Sequence, residues 1–169
     1  MKPQRFFIID YETTGLDIKR DSPIEIGIVI TDQKFNLIET YTTFIQAEID
    51  PYDESWLKAY AIHKIEPSLL AYGKTIETVK EDLIALAKKH TVKDNKPILL
   101  SDNIQFEWQW TEKIMTDITK YFHYCGWDSS LLLESTGVGD PPPAHRALKD
   151  AGLVHAAILK ALERVKTNG

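Results

Sequence analysis

The first apolar run, Phe6-Phe7-Ile8-Ile9, passes into the alternation Asp10-Tyr11-Glu12 and then turns at Thr13-Thr14-Gly15. Residues 5–11 therefore predict a buried strand, and Ile24-Glu25-Ile26-Gly27-Ile28-Val29-Ile30-Thr31-Asp32 a second. Residues 36–46 alternate strongly and predict a third, joined to the second through Asp32-Gln33-Lys34 as an antiparallel hairpin. After Asp50-Pro51 the period lengthens to that of a helix, with candidates over 53–60, 66–71 and 75–89. The last of these starts at Thr75, with Glu77 and Glu81 near its positive end. A strand over 97–101 leads into a helix over 103–120. Residues 121–143 carry no clear period: they begin rich in aromatics and close as a loop, Gly137-Val138-Gly139-Asp140-Pro141-Pro142-Pro143. From 144 to 165 the stripe Ala147, Ala151, Val154, Ile158, Leu162, Val165 predicts a long amphipathic helix.

Side chains alternate faces along a strand, so Asp10 and Glu12 point the same way. Two acids on one face call for a cation. On the 103–120 helix, at about 100° per residue, Ile104, Trp108, Ile114, Met115 and Ile118 form one stripe, and Glu107 falls inside it. That stripe assigns Trp108 to core packing and leaves Trp110 unplaced. A carboxylate facing a core is costly, so Glu107 either ends the stripe and reaches water or an arginine, or joins the first two acids. Asp150 lies at the margin of the last helix's apolar stripe. His145 would stand about 140° from Asp150 if both were helical. The three prolines before it place it instead at the loop-to-helix junction, either solvated or approaching the acids from the loop side. Convergent carboxylates repel by roughly 4 kcal/mol per pair at 4 Å and an effective dielectric of 20, and would take up protons unless cations were present. An all-oxygen set points to Mg²⁺ or Mn²⁺ rather than zinc.

Composition narrows the picture. At 169 residues and 43% apolar the chain has the size of one domain spanning 1–169. The single cysteine, Cys125, excludes an internal disulfide and a cysteine-rich zinc cluster, and the expected compartment is cytoplasmic. The opening Met1-Lys2-Pro3-Gln4-Arg5 and its very short apolar run read as neither a signal peptide nor a membrane span, and no membrane partner is expected. A net charge of −5 argues against coating nucleic acid with a broad basic surface. It leaves room for an enzyme that grips a few nucleotides through bound cations.

The motifs, taken in order, resemble one family. Asp10-Tyr11-Glu12-Thr13-Thr14-Gly15-Leu16, Pro23-Ile24-Glu25-Ile26-Gly27, Ala61-Ile62-His63-Lys64-Ile65 and His145-Arg146-Ala147-Leu148-Lys149-Asp150-Ala151 resemble the successive motifs of the DEDD-type 3′-to-5′ exonucleases of the histidine subclass. The middle motif departs from the family's His-Asn-x-x-Phe-Asp, reading Asp102-Asn103-Ile104-Gln105-Phe106-Glu107. Helical geometry prefers Glu107 to Asp102 as its acid, because Asp102 precedes the helix and would point nearly opposite. The resemblance implies an α/β, ribonuclease H-like exonuclease fold, a central mixed β-sheet flanked by helices. It also implies phosphodiester hydrolysis with two divalent cations, Mg²⁺ or Mn²⁺, roughly 3.5–4 Å apart, held by Asp10, Glu12, Glu107 and Asp150. His145 would be the general base. Thr13, Thr14, Gly15, Leu16 and His63 would bind the terminal nucleotide of a nucleic acid 3′ end, expected to be single-stranded. Monomer and homodimer are both compatible with the sequence. Two rival expectations stand beside this one: a non-catalytic nucleic-acid-binding module of the same fold, and a hydrolase of very short oligonucleotides.

Overall fold

The computed structural model describes residues 3–168. Met1, Lys2 and Gly169, which belong to the predicted N-terminal segment and domain span, lie outside the described residues. Five strands, β1 (Arg5–Thr13), β2 (Pro23–Asp32), β3 (Leu37–Phe44), β4 (Ile98–Ser101) and β5 (Trp127–Asp128), form one sheet in the order β3-β2-β1-β4-β5. The first three pair antiparallel, and β4 and β5 run parallel to β1. The sheet is thus mixed, as the motif resemblance implies. Helices α1 (Glu54–His63), α2 (Pro67–Leu70) and α3 (Ile76–His90) fill the stretch between β3 and β4. Thr75 caps α3 as predicted, its hydroxyl accepting from Thr78 N.

Both faces of the sheet are covered, which explains the almost unbroken apolar run of β2. On one face Phe7, Ile9, Tyr11, Ile26, Ile28 and Ile30 pack against α3 and against α4 (Ile104–Ile114). On the other, Phe6, Ile8 and Val29 meet Ala151, Val154, Ala157, Ile158 and Ala161 of α7 (Ala147–Asn168). The small alanines let this helix lie close to the strands. Among the described residues no helix is long and apolar enough to cross a membrane.

Three predicted elements change. The 103–120 helix is two: α4 ends at Ile114, Met115 is extended, and α5 (Ile118–Tyr121) follows. Thr116 and Asp117 sit at the break, residue types whose side chains compete with helical backbone bonds, while Met115 and Ile118 are buried through the turn and so prolonged the apparent period. The buried face of α4 is Glu107, Trp110, Thr111 and Ile114; Trp108 packs partly buried at its flank and Trp110 is in the core. Residues 121–143 contain β5 and α6 (Ser130–Ser135), both too short to impose a legible period. The last helix begins at 147 rather than 144, and Val165, predicted on its buried stripe, is exposed.

Candidate active site

β1 runs further than β4. Its pairing with β4 covers Phe6 to Ile8, whereas its pairing with β2 continues to Thr13, so Asp10 to Thr13 have one strand edge that β4 leaves uncovered. The first turns of α4 and α7 close around this end. Asp10 and Glu12 share the face of Phe6 and Ile8, toward α7. Asp150 comes down from that helix, and one carboxylate oxygen from each of Asp10, Glu12 and Asp150 lies within 4.8 Å of the others.

Gly27 makes the convergence possible. It is the β2 partner of Asp10, and a Cβ there would lie 2.1 Å from Leu148 N and 2.2 Å from Ala147 C. No other residue lets α7 start so close to the strand. Asp150 in turn accepts hydrogen bonds from Arg146 N at 3.0 Å and from Ala144 N, the amides on either side of His145. His145 itself is half-buried and left-handed, φ 57°, just before the helix. The predicted junction position is therefore observed, and one of the clustered acids braces it.

Glu107 enters from α4. It is 3% exposed, and its Oε2 is buried without a hydrogen-bond partner. Its carboxyl is pushed well above the usual range by burial first and then by Asp10 and Asp102, against hydrogen bonding from the Tyr11 backbone. It lies beside Asp10 but outside the trio of mutually close oxygens. Asp102 is less enclosed, and its Oδ1 accepts from Ser101 Oγ at 3.2 Å. Burial, then Glu12, Asp150 and Asp102, push the Asp10 carboxyl up to about 9. Burial followed by Asp150 and Glu25, opposed by Arg146, pushes Glu12 up to about 7. Clustered, partly orphaned carboxylate oxygens with no nitrogen or sulfur among them fit a hard divalent cation.

These shifts set a sign for stability without metal. Between the unfolded values of 3.8 and 4.5 and the folded values of about 9 and about 7, the native state holds protons that the unfolded chain has released. In EDTA the melting temperature is expected to fall as pH rises from 5 to 9. Mg²⁺ or Mn²⁺ should raise it more at pH 8 than at pH 5, where protons compete for the oxygens. A melting temperature flat or rising across that range would contradict the clustering.

Beside the acids a cavity of about 550 Å³ opens between the turn after β1, α1 and α4, lined by Glu12, Thr13, Gly15, Leu16, His63 and Phe106. Leu16 stands 83% exposed at it, and His63 is buried at the end of α1, its Nδ1 accepting from Ile65 N at 2.9 Å. Burial lowers the His63 pKa. Gly15 leaves room for the Ser55–Asp21 hydrogen bond, since a Cβ would lie 1.9 Å from Ser55 Oγ and 2.3 Å from Asp21 Oδ2. Thr13 Oγ1 donates to Gly15 O at 2.6 Å and tightens the turn. Thr14 lies outside the lining; its amide donates to Ser22 O and its Oγ1 accepts from Ser22 N, both at 2.9 Å.

Spacing assigned no role to the Glu25–Arg146 pair. Glu25 is buried opposite Glu12, and Arg146 grips it through Nη2 at 2.9 Å and Nε at 3.1 Å, while Ala147 N donates to it at 3.2 Å. The bidentate pair ties the start of α7 to β2. The signal was present: a lone acid inside Ile24-Glu25-Ile26 needs a buried partner.

A family model described as "Exonuclease" (RNase_T) matches residues 7–158. The chain is similar to a PolC-type DNA polymerase III of Thermotoga maritima, 29% identical over 97% of this chain but 12% of that protein. It is also similar to an oligoribonuclease of Neisseria meningitidis, 25% identical over 94% of this chain and 85% of that protein. A probable oligoribonuclease of Caenorhabditis elegans is 24% identical, with 72% and 64% covered. The chain thus spans between an eighth and two thirds of the length of several curated relatives. Among solved structures, Escherichia coli Exonuclease I in complex with a dT13 oligonucleotide superposes with a TM-score of 0.69 at 20% identity, over 96% of this chain and 41% of that one. The fold is that of the ribonuclease H-like exonucleases.

Proposed function

From the exonuclease family to which this chain belongs, we propose that it hydrolyses phosphodiester bonds at the 3′ ends of short single-stranded oligonucleotides, working 3′ to 5′ and releasing nucleoside monophosphates. The observation that carries this reading is the convergence of Asp10, Glu12 and Asp150 near buried Glu107, whose Oε2 has no hydrogen-bond partner, beside a nucleotide-sized cavity. These four acids would hold two divalent cations, Mg²⁺ or Mn²⁺. Such cations supply an activated water and stabilise the charge on the leaving 3′ oxygen. The terminal nucleoside enters the cavity, where Leu16 and Phe106 offer apolar surface to the base and His63 backs the turn carrying Thr13 and Gly15. His145, at the turn that Asp150 braces, would take the proton from the attacking water. Its backbone is held by Asp150 on both sides, so the imidazole is presented without its own main chain being free to drift.

The reading is tested by incubating 5′-labelled single-stranded DNA and RNA oligonucleotides with the protein and Mg²⁺ or Mn²⁺. A ladder shortening one nucleotide at a time from the 3′ end is expected; no shortening with either cation defeats the proposal. His145→Ala should lower kcat by about 10²–10⁴-fold, the usual scale of general-base removal. Cation affinity by calorimetry should hardly change, and equal loss of affinity would exclude the base role.

A further inference from the structure

The cross-strand register carries the site further than the acids themselves. Glu12 on β1 pairs with Glu25 on β2, and Glu25 with Phe44 on β3, so one row of side chains on the α7 face leads from the acids to the edge strand. At about 4.8 Å per strand, Phe44 stands roughly 10 Å from Glu12 along this row. There a groove of about 440 Å³ opens between β3 and the first turn of α7. Its floor is Phe44 with Thr42, one wall is Arg146 and Lys149, and the other is Tyr72.

The chemistry of this groove differs from that of its surroundings. The chain carries a net charge of −5, yet here Arg146 and Lys149 line a groove that also holds Phe44 and Tyr72, and the one acid, Glu25, is already neutralised by Arg146. The Arg146 guanidinium lies 5.4 Å from the centre of the Phe44 ring and leaves Nη1 unused by Glu25. Lys149 is exposed and, among the described residues, has no ion-pair partner. Tyr72 is 90% exposed, but its segment is anchored: Lys74 N donates to Phe44 O and Gln46 N donates to Lys74 O, each at 2.9 Å. The backbone that carries this solvent-facing ring is held in place, and aromatic faces beside cations are how single strands are held without regard to sequence.

We propose that this groove is a binding subsite for the nucleotides upstream of the scissile phosphate, on a single-stranded oligonucleotide. A base stacks on Tyr72, Lys149 meets a backbone phosphate, and Arg146 joins the groove to the reacting end at the His145 corner. The inference rests on the exonuclease reading for the direction of the strand. Its consequence is a length preference: oligonucleotides that reach the groove are better substrates than dinucleotides.

The experiment compares a dinucleotide with a single-stranded heptanucleotide for wild type, Tyr72→Ala and Lys149→Ala. The ratio of kcat/KM, heptamer over dimer, should fall about tenfold for Tyr72→Ala, within the range for removing one base-stacking ring. Binding of a 5′-fluorescein heptanucleotide in Ca²⁺, read by anisotropy, should weaken with it. For Lys149→Ala the slope of log affinity against log salt should shrink by roughly 0.7–1, as expected for one lost phosphate contact on a single strand. Unchanged ratio and unchanged heptamer affinity in both variants overturn the subsite. A wild type that binds the heptamer but shortens nothing defeats the exonuclease reading instead, and the anisotropy arm still decides the groove.

Discussion

Asp10→Asn is expected to make the metal-free protein more stable while removing its activity. At pH 8 the wild-type carboxyl is held up to about 9 by burial and by Glu12, Asp150 and Asp102, so the fold confines acids that oppose one another. An amide of the same shape removes that opposition. In EDTA the melting temperature should rise by about 3–6 °C, at 2–4 °C per kcal/mol for a chain of this size. The fall in stability between pH 5 and 9 should flatten as well, because one of the groups that drives it no longer titrates. Turnover should drop by about 10²–10³-fold, the scale of losing one electrostatic element of a site, and the stabilisation by Mg²⁺ or Mn²⁺ should shrink with it. Thermal melts with and without cation, together with rates on a 5′-labelled oligonucleotide, measure all three. Retained turnover would remove Asp10 from the site. A destabilised apo protein would contradict the electrostatic account of the cluster.

Gly27→Ala tests the architecture rather than the chemistry. The added methyl meets Leu148 N, Ala147 C and Leu148 Cα within 2.4 Å, all backbone atoms with no rotamer to change. The start of α7 must lift from β2, at a cost of about 1–3 kcal/mol and a melting temperature lower by about 2–12 °C. Because Asp150 and the His145 turn ride on that first turn, a displacement near 1 Å should reduce turnover by about 10²-fold. Cation affinity should fall too, which separates this variant from His145→Ala. Wild-type turnover and melting in Gly27→Ala would mean that the helix start can move without consequence.

Much of the fold could be read from local patterns. β1 and β2 announced themselves because a sheet covered on both faces selects long apolar runs, β3 because a half-exposed edge strand keeps its alternation, and α3 because Thr75 and Glu77 mark its start. β5 and α6 escaped because two and six residues are too few to express a period. The α4 stripe was rotated because Met115 and Ile118 are buried through a break, and their apolar character imitated a continuing helix. The true face, running through Trp110 and Thr111, has Glu107 as its first member, so the acid inside the apolar stripe was the correct signal attached to the wrong neighbours.

Asp10 and Glu12 were bound to share a face by the two-residue period of a strand, whatever surrounded them. The ordered motifs likewise pointed to the exonuclease family before any coordinates. Distance along a chain, however, says nothing about which acids meet. That Asp150 reaches Asp10 depends on a glycine two strands' length away in sequence letting a helix touch the sheet. Glu107 in turn reaches the end of β1 only because β4 stops short. The Glu25–Arg146 tie and the groove beyond Phe44 arise from cross-strand register, a property that exists only once the strands are paired.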